Sequence, residues 1–361
     1  MKAAITYEFG KPMVIDDLDL APPRDTGEVK VKIAACAICH SDITYADGGW
    51  GGRPPQVFGH EAAGTVVETG PGVHSVKVND RVLVTLLRSC GHCATCERGR
   101  PTICRTKFRL DREPPLKNRE GTPVKQGLRT GAFAEYVVVD QSQLAPIPDD
   151  LPFDVASLLS CGVITGFGAV VNTAQMRAGA SAAVVGCGGV GLNAVQGAAY
   201  AGAFPLLAVD VAEEKLETAK AFGATHTANA ASGDARAAAL EISGGRGMEY
   251  VFTAVGSPRV IEQGISLLAP GGTLTIVGMP PTGDMTSFDA TDLADGGMRI
   301  LGSKMGSTRL RADIPKLLEL HREGRLKLEE LITGRFPLEE INRGIEEVRA
   351  GRGLRNVIVF E

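Results

Sequence analysis

From Ser181 to Val209 the chain runs 29 residues without a charged side chain. About 20 apolar residues suffice to cross a bilayer, so such a run either spans a membrane or is buried inside a folded domain. Gly186, Gly188, Gly189 and Gly191 interrupt it early, and Pro205 interrupts it late. It reads instead as an apolar strand Ala182–Gly186, a glycine turn, a small-residue helix over 189–201 and a second strand Leu206–Asp210. Two strands joined through a helix lie parallel, and parallel strands need both faces covered. This segment therefore demands an α/β domain with a doubly wound parallel sheet, and no membrane span is expected.

The alternation continues beyond it. Glu213 to Phe222 has helical spacing (Leu216, Ala219, Phe222), and Tyr250–Ala254 and Gly272–Gly278 read as further strands. Residues 1–150 have a different texture. Val29–Ile33 alternates with period two, Gly64–Glu68 and Arg81–Thr85 read as strands, and turn signals recur between them. Beyond 304 come helices near 313–323 and 338–350 and a closing strand Val357–Phe360. At roughly 150 residues per domain, 361 residues suggest two domains. Net charge −4 and no basic block argue against a nucleic-acid partner. Met1–Glu8 reaches an acidic residue before any apolar run, so no secretory leader is expected. The expected setting is cytoplasmic, with the eight cysteines reduced and available as ligands or core residues.

Gly186-Cys187-Gly188-Gly189-Val190-Gly191 fits the G-x-G-x-x-G pattern. In a chain with 45 glycines the match alone means little; its place between a strand and a helix gives it weight. Gly186 would permit the tight turn, Gly188 a close approach to a pyrophosphate, and Gly191 close packing of helix on strand. The helix N-terminus offers unpaired N–H groups to phosphate. Asp210 ends the next strand, where its carboxylate would accept the adenosine ribose hydroxyls and repel a 2′-phosphate, favouring NAD over NADP.

Two cysteine patterns follow. Cys90-x2-Cys93-x2-Cys96-x7-Cys104 matches a closed four-thiolate zinc site with no position left for substrate. Disulfides or a nucleic-acid-binding finger are its alternatives, and His92 within the motif reads as solvated. The second pattern is dispersed: Cys39-His40-Ser41-Asp42, Gly59-His60-Glu61 and Ser160-Cys161-Gly162. Singly each cysteine reads as a buried small hydrophobe. Together they supply two thiolates and an imidazole, which leaves a fourth zinc position open.

In these residues the chain resembles the zinc-dependent alcohol dehydrogenases of the medium-chain dehydrogenase/reductase family. The likeness covers nearly the whole length, including Cys39-x-Ser-Asp, Gly59-His-Glu-Ala-Ala-Gly64, the four-cysteine lobe, Cys161 before Thr165-Gly166, the glycine fingerprint and Arg355. It implies a β-rich, GroES-like catalytic domain over 1–162 with a structural zinc lobe at 88–106. A Rossmann-type NAD-binding domain over 163–304 and a return to the catalytic domain over 305–361 complete the implied layout. By resemblance Cys39, His60 and Cys161 bind a catalytic zinc, with Glu61 an occasional ligand and Asp42 orienting His60; two zinc ions per chain are implied. Ser41 resembles the hydroxyl that first takes the alcohol proton, with Thr44 where relatives carry a terminal relay histidine. Cofactor contacts implied are His40, Thr165, Lys215, Val277 and Arg355 beside Gly186, Gly188, Gly189, Val190, Gly191 and Asp210.

The implied reaction is reversible hydride transfer between a primary or secondary alcohol and NAD, giving an aldehyde or ketone, by a homo-oligomer, dimer or tetramer. His40 stands where many relatives carry arginine, which predicts weaker NADH binding. Trp50 and Leu86 are candidates to line an apolar alcohol pocket, one that suits an aromatic substrate. The competing substrate is S-(hydroxymethyl)glutathione, but Phe108 stands where that branch's carboxylate-binding arginine is expected, with Arg109 next to it. A non-catalytic dinucleotide-binding protein of the same fold, or a zinc lyase or hydrolase, are the readings outside this class. Cys36 and Cys187 take no site role, and Cys36 is expected in the core.

Overall fold

The computed structural model describes residues 1–361. The chain divides into two compact units: Met1–Cys161 with Arg309–His321 and Lys327–Glu361, and Gly162–Thr308 with Arg322–Leu326.

The second unit holds a six-stranded, all-parallel sheet. Its spatial order is His226–Asn229, Leu206–Asp210, Ala182–Val185, Met248–Thr253, Leu268–Ile276, Arg299–Gly302. Counted along the chain this is 3-2-1-4-5-6, the order of the dinucleotide-binding fold, with the chain reversing direction beside Ala182–Val185. The uncharged run folds as strand, helix Gly189–Tyr200 and strand. No helix is long and apolar enough to cross a membrane. Ala182–Val185 and Leu206–Val209 are buried throughout, as central parallel strands must be.

The first unit contains a closed barrel of five strands and a seven-stranded sheet. Glu28–Ala37 is the hub of that sheet, pairing with Glu61–Thr69, Tyr136–Asp140 and Arg355–Val359. The expected strand Val29–Ile33 is thus longer at both ends, and the extension places Cys36 in the core, fully buried opposite Ala62 and Ile358. The barrel strands Leu116–Asn118 and Pro123–Gln126 carry no period-two signal; they are three and four residues long, and pairing within the barrel holds them.

A candidate metal and dinucleotide site

Helix His40–Ala46 begins with Cys39 as its N-cap, and Asp42 in its first turn folds back to accept the Cys39 N–H at 3.1 Å. The same carboxylate accepts the Gly59 N–H at 2.9 Å and lies 2.9 Å from His60 Nδ1. One buried acid therefore ties the turn bearing Cys39 to His60, the residue that leads into the strand Glu61–Thr69. Gly59 is needed there: its φ is +92°, and a Cβ would stand 2.6 Å from the Phe133 nitrogen. Cys161 is fastened to the same strand by its neighbour Ser160, whose buried hydroxyl donates to the Ala62 carbonyl at 2.8 Å. Ser160 carried no distinguishing signal in the sequence.

The result is a buried group in the first unit. Ligand atoms of Cys39, His60, Glu61 and Cys161 all lie within 4.8 Å of one another. His60 Nε2 is buried and makes no hydrogen bond. An orphaned imidazole nitrogen beside two thiols costs energy unless something accepts its lone pair, and a zinc ion fits that donor set. Asp42 at Nδ1 fixes the tautomer that presents Nε2 to a metal. Burial works against charge on His60, but the Asp42 carboxylate outweighs it and raises the pKa well above the ordinary value. Hydrogen bonding to Cys161, against burial, holds the Cys39 thiol well below its usual range; the same bond, with burial, pushes Cys161 well above it. Burial raises Glu61 to about 7 although the Arg355 guanidinium opposes it. Arg355 Nη2 donates to Glu61 Oε2, and both side chains are buried.

The other proposed relay and substrate residues are less enclosed. Ser41 is half-buried and His40 exposed on the first turn of their helix. Thr44 donates its hydroxyl to the His40 carbonyl at 3.0 Å, one turn back. Trp50 packs edge-on against Tyr45, ring centroids 5.0 Å apart, and Leu86 is half-buried. Arg109 is engaged elsewhere: its Nε and Nη2 donate to the two oxygens of Glu28 at 2.9 and 2.7 Å.

Cys90, Cys93, Cys96 and Cys104 also converge within 4.8 Å. The Cys93–Cys104 and Cys90–Cys104 sulfur pairs are each 3.8 Å apart. A tetrahedron with zinc–sulfur arms of about 2.3 Å has edges of about 3.8 Å, so the spacing suits the ion. The Thr106 hydroxyl and the Cys93 N–H donate to Cys90 Sγ, and the Thr95 hydroxyl lies 3.1 Å from Cys93 Sγ, lowering that thiol to about 5. Burial pushes Cys96 up to about 12. His92 is exposed and outside the group, and all eight cysteines are free of disulfides.

In the second unit the three fingerprint glycines separate by what a side chain would meet. Gly186 has φ +92°, and a Cβ would strike Val255. At Gly191 a Cβ would fall 1.7 Å from the Gly186 carbonyl oxygen, whereas at Gly188 nothing lies within 4 Å. Gly188 is therefore the position whose missing side chain leaves open space, as a pyrophosphate cradle requires. Gly189 and Val190 open the helix behind it. Asp210 accepts the Cys187 N–H at 2.6 Å and those of Val211 and Ala212 at 2.8 and 3.0 Å, which fixes the carboxylate at the strand end. Lys215 is half-buried in the next helix, Val277 is buried at a strand end, and Thr165 Oγ1 contacts Met305 Sδ at 3.6 Å. The Cys187 thiol is buried, and burial raises it to about 12, in keeping with a core residue.

Comparison with known proteins agrees with both units. Residues 25–149 match the model of the alcohol dehydrogenase GroES-like domain, and residues 189–323 that of the zinc-binding dehydrogenases. The chain is 36% identical to an NDMA-dependent alcohol dehydrogenase of Amycolatopsis methanolica over 99% of this chain and 98% of that one. It is 35% identical to an alcohol dehydrogenase class-3 of Cereibacter sphaeroides over 99% of each. Among solved structures, the benzyl alcohol dehydrogenase of Acinetobacter calcoaceticus superposes with a TM-score of 0.92 at 32% identity, covering 100% of this chain and 99% of that one. Likeness of this extent, end to end and through both units, makes the chain a member of the zinc-dependent alcohol dehydrogenases of the medium-chain dehydrogenase/reductase family.

Proposed function

We propose that the protein is an NAD-dependent alcohol dehydrogenase that reversibly oxidises primary or secondary alcohols, aromatic ones among them, to aldehydes or ketones. The observation that carries this reading is the buried set of two thiols and one imidazole whose Nε2 has no hydrogen-bond partner. When bound, zinc at Cys39, His60 and Cys161 supplies Lewis-acid polarisation of the substrate oxygen, and NAD supplies the hydride acceptor.

The chain's own residues do the rest. Asp42 holds the His60 ring in the tautomer with Nε2 free. Ser41 Oγ takes the alcohol proton first. Thr44 is a poor base and its hydroxyl is turned to the His40 carbonyl, so the proton leaves Ser41 for water. Gly188 and the helix behind it receive the pyrophosphate, with His40 and Arg355 as further contacts, and Asp210 disfavours a 2′-phosphate. Thr165, Lys215 and Val277 complete the cofactor contacts. Trp50 and Leu86 favour an apolar substrate, in line with the activity named for the Acinetobacter relative. The glutathione-adduct reading needs a cation for the adduct's carboxylate, and Arg109, the arginine next to Phe108, is paired with Glu28. The four-cysteine lobe holds the second, structural zinc. The enzyme works as a homo-oligomer in the cytoplasm, where reducing conditions keep its thiols available as ligands.

The test is NADH formation across a panel of alcohols that includes benzyl alcohol and S-(hydroxymethyl)glutathione. Native protein should carry two zinc ions per chain and Cys39→Ala one, with loss of turnover. A native protein with both metals and NAD but no turnover on any alcohol would instead make the chain a binding protein.

A further inference from the structure

We propose that the first unit carries a second ligand site, for a small polyanion such as a phosphate ester or a dicarboxylate. The site stands independently of the dehydrogenase reading. It is a pocket of about 340 Å³ between the short helix Arg109–Arg112 and the strand Pro123–Gln126 with the turn that follows it. Arg88, Arg112, Lys125 and Arg129 line it, against a single acid, Asp111. A concave wall of one sign concentrates the field of its charges and draws counter-ions to it.

The charges do not cancel within the protein. Asp111 Oδ1 is shared by Arg88 Nη1 at 3.1 Å and Arg129 Nε at 3.8 Å, while its other oxygen accepts the Phe108 N–H. Arg112 and Lys125 are exposed and have no acidic partner. Among the lining residues one carboxylate stands against four cations, and the acids Asp140 and Glu28 act only on the buried Arg88 side of the wall. Burial lowers the Arg88 pKa and the neighbouring Arg129 charge adds to that effect, although the Asp111, Asp140 and Glu28 carboxylates oppose it. Like charges held this close are unfavourable until an anion enters.

The wall is also built rather than incidental. Arg88 is 2% exposed, and it donates to Gln143 Oε1 at 2.7 Å and to the Arg129 carbonyl at 2.8 Å. Gln143 Nε2 donates to the same carbonyl at 3.1 Å. These bonds hold Leu128 and Arg129 at φ +51° and +62°, a left-handed turn that side chains with a Cβ seldom adopt. Buried groups thus maintain a strained turn that sets Arg129 on the pocket wall, as ligand clamps do. The volume exceeds what one inorganic anion fills and lies at the lower end of small-molecule sites, roughly 300 Å³ and upward. Three charges within it suit a ligand of two or three negative charges.

The test is equilibrium dialysis of zinc-loaded protein with radiolabelled inorganic phosphate and, separately, radiolabelled succinate. Saturating NADH is present to fill any pyrophosphate site, and ionic strength is fixed with chloride. One bound anion per chain is expected with a dissociation constant of about 1 mM or lower. Lys125→Gln/Arg129→Gln should weaken it at least about tenfold, and Arg112→Gln, an exposed change, should weaken it measurably. Lys117→Gln, on the same hairpin but outside the pocket, should leave it unchanged. Preference for phosphate assigns a phosphate ester and preference for succinate a carboxylate. Absence of saturable binding of either anion, or binding that both pocket variants retain, overturns the proposal.

Discussion

Asp42 Oδ1 lies 2.9 Å from His60 Nδ1, and neither side chain has any solvent exposure. The same carboxylate holds the Cys39 and Gly59 backbone N–H groups, so it sets both the imidazole and the turn beside it. Asp42→Asn keeps an acceptor oxygen but removes the charge that supports the ring. It should weaken zinc binding at Cys39, His60 and Cys161 by about 10–100-fold while the four-cysteine lobe keeps its ion. Chelator competition followed by metal analysis measures both; equal retention in variant and native protein would contradict the assignment.

The Glu28 carboxylate is held below its ordinary value of 4.5. Burial raises it, but the hydrogen bonds from Arg109 and from the backbone of Arg24 and Asp25 prevail. A lowered folded-state pKa stabilises the fold above the unfolded value and loses that contribution as pH falls through the folded value. Glu28→Ala should therefore destabilise the first unit by about 3 kcal/mol at neutral pH, because it leaves the partly buried Arg109 with only its longer contact to the exposed Glu113. The gap between variant and native protein should shrink once the pH falls below the ordinary carboxylate range. Urea unfolding at neutral and acidic pH reads it, and a gap independent of pH would show that lost packing, not charge, is responsible.

The fingerprint glycines should fail in different ways. Gly188→Ala meets nothing within 4 Å and sits at φ −75°, so the apo protein should melt unchanged while NADH affinity falls by about tenfold or more. Gly191→Ala places a methyl on the Gly186 carbonyl and should cost about 2–4 kcal/mol of stability. Calorimetry with and without NADH separates the two. Undiminished NADH binding in Gly188→Ala would remove the pyrophosphate from that turn.

Asp210 governs the choice of coenzyme if its charge faces the ribose. Asp210→Asn keeps one oxygen for the Val211 and Ala212 N–H groups, gives up the second oxygen that accepts from Cys187, and loses the repulsion of a 2′-phosphate. The ratio of kcat/KM for NAD to that for NADP should drop by about tenfold. An unaltered ratio would mean that some other residue discriminates.

Much of the second unit was legible because its determinants are local. Glycines at fixed offsets between an apolar strand and a small-residue helix need no distant partner to be recognised, and Leu206–Asp210 emerges with the bounds read from the sequence, as Arg81–Thr85 does in the first unit. The cysteines of the lobe are equally local, four within fifteen residues. Their spacing alone points to one closed tetrahedral site.

What the sequence could not decide is which distant groups meet. Cys36 and Cys39 differ by three positions, yet strand pairing buries the first against Ala62 while the turn after the strand delivers the second to His60 and Cys161. Arg109 stands beside the position where a carboxylate-binding cation was sought, and nothing local shows that it pairs with Glu28, or that Arg355 pairs with Glu61, across 81 and 294 residues. The strained Leu128–Arg129 turn likewise exists because Arg88 and Gln143 reach it through space. Local pattern encodes backbone conformation and short-range ligand spacing; ion pairs, orphaned atoms and pocket charge depend on non-local contacts, which only tertiary packing creates.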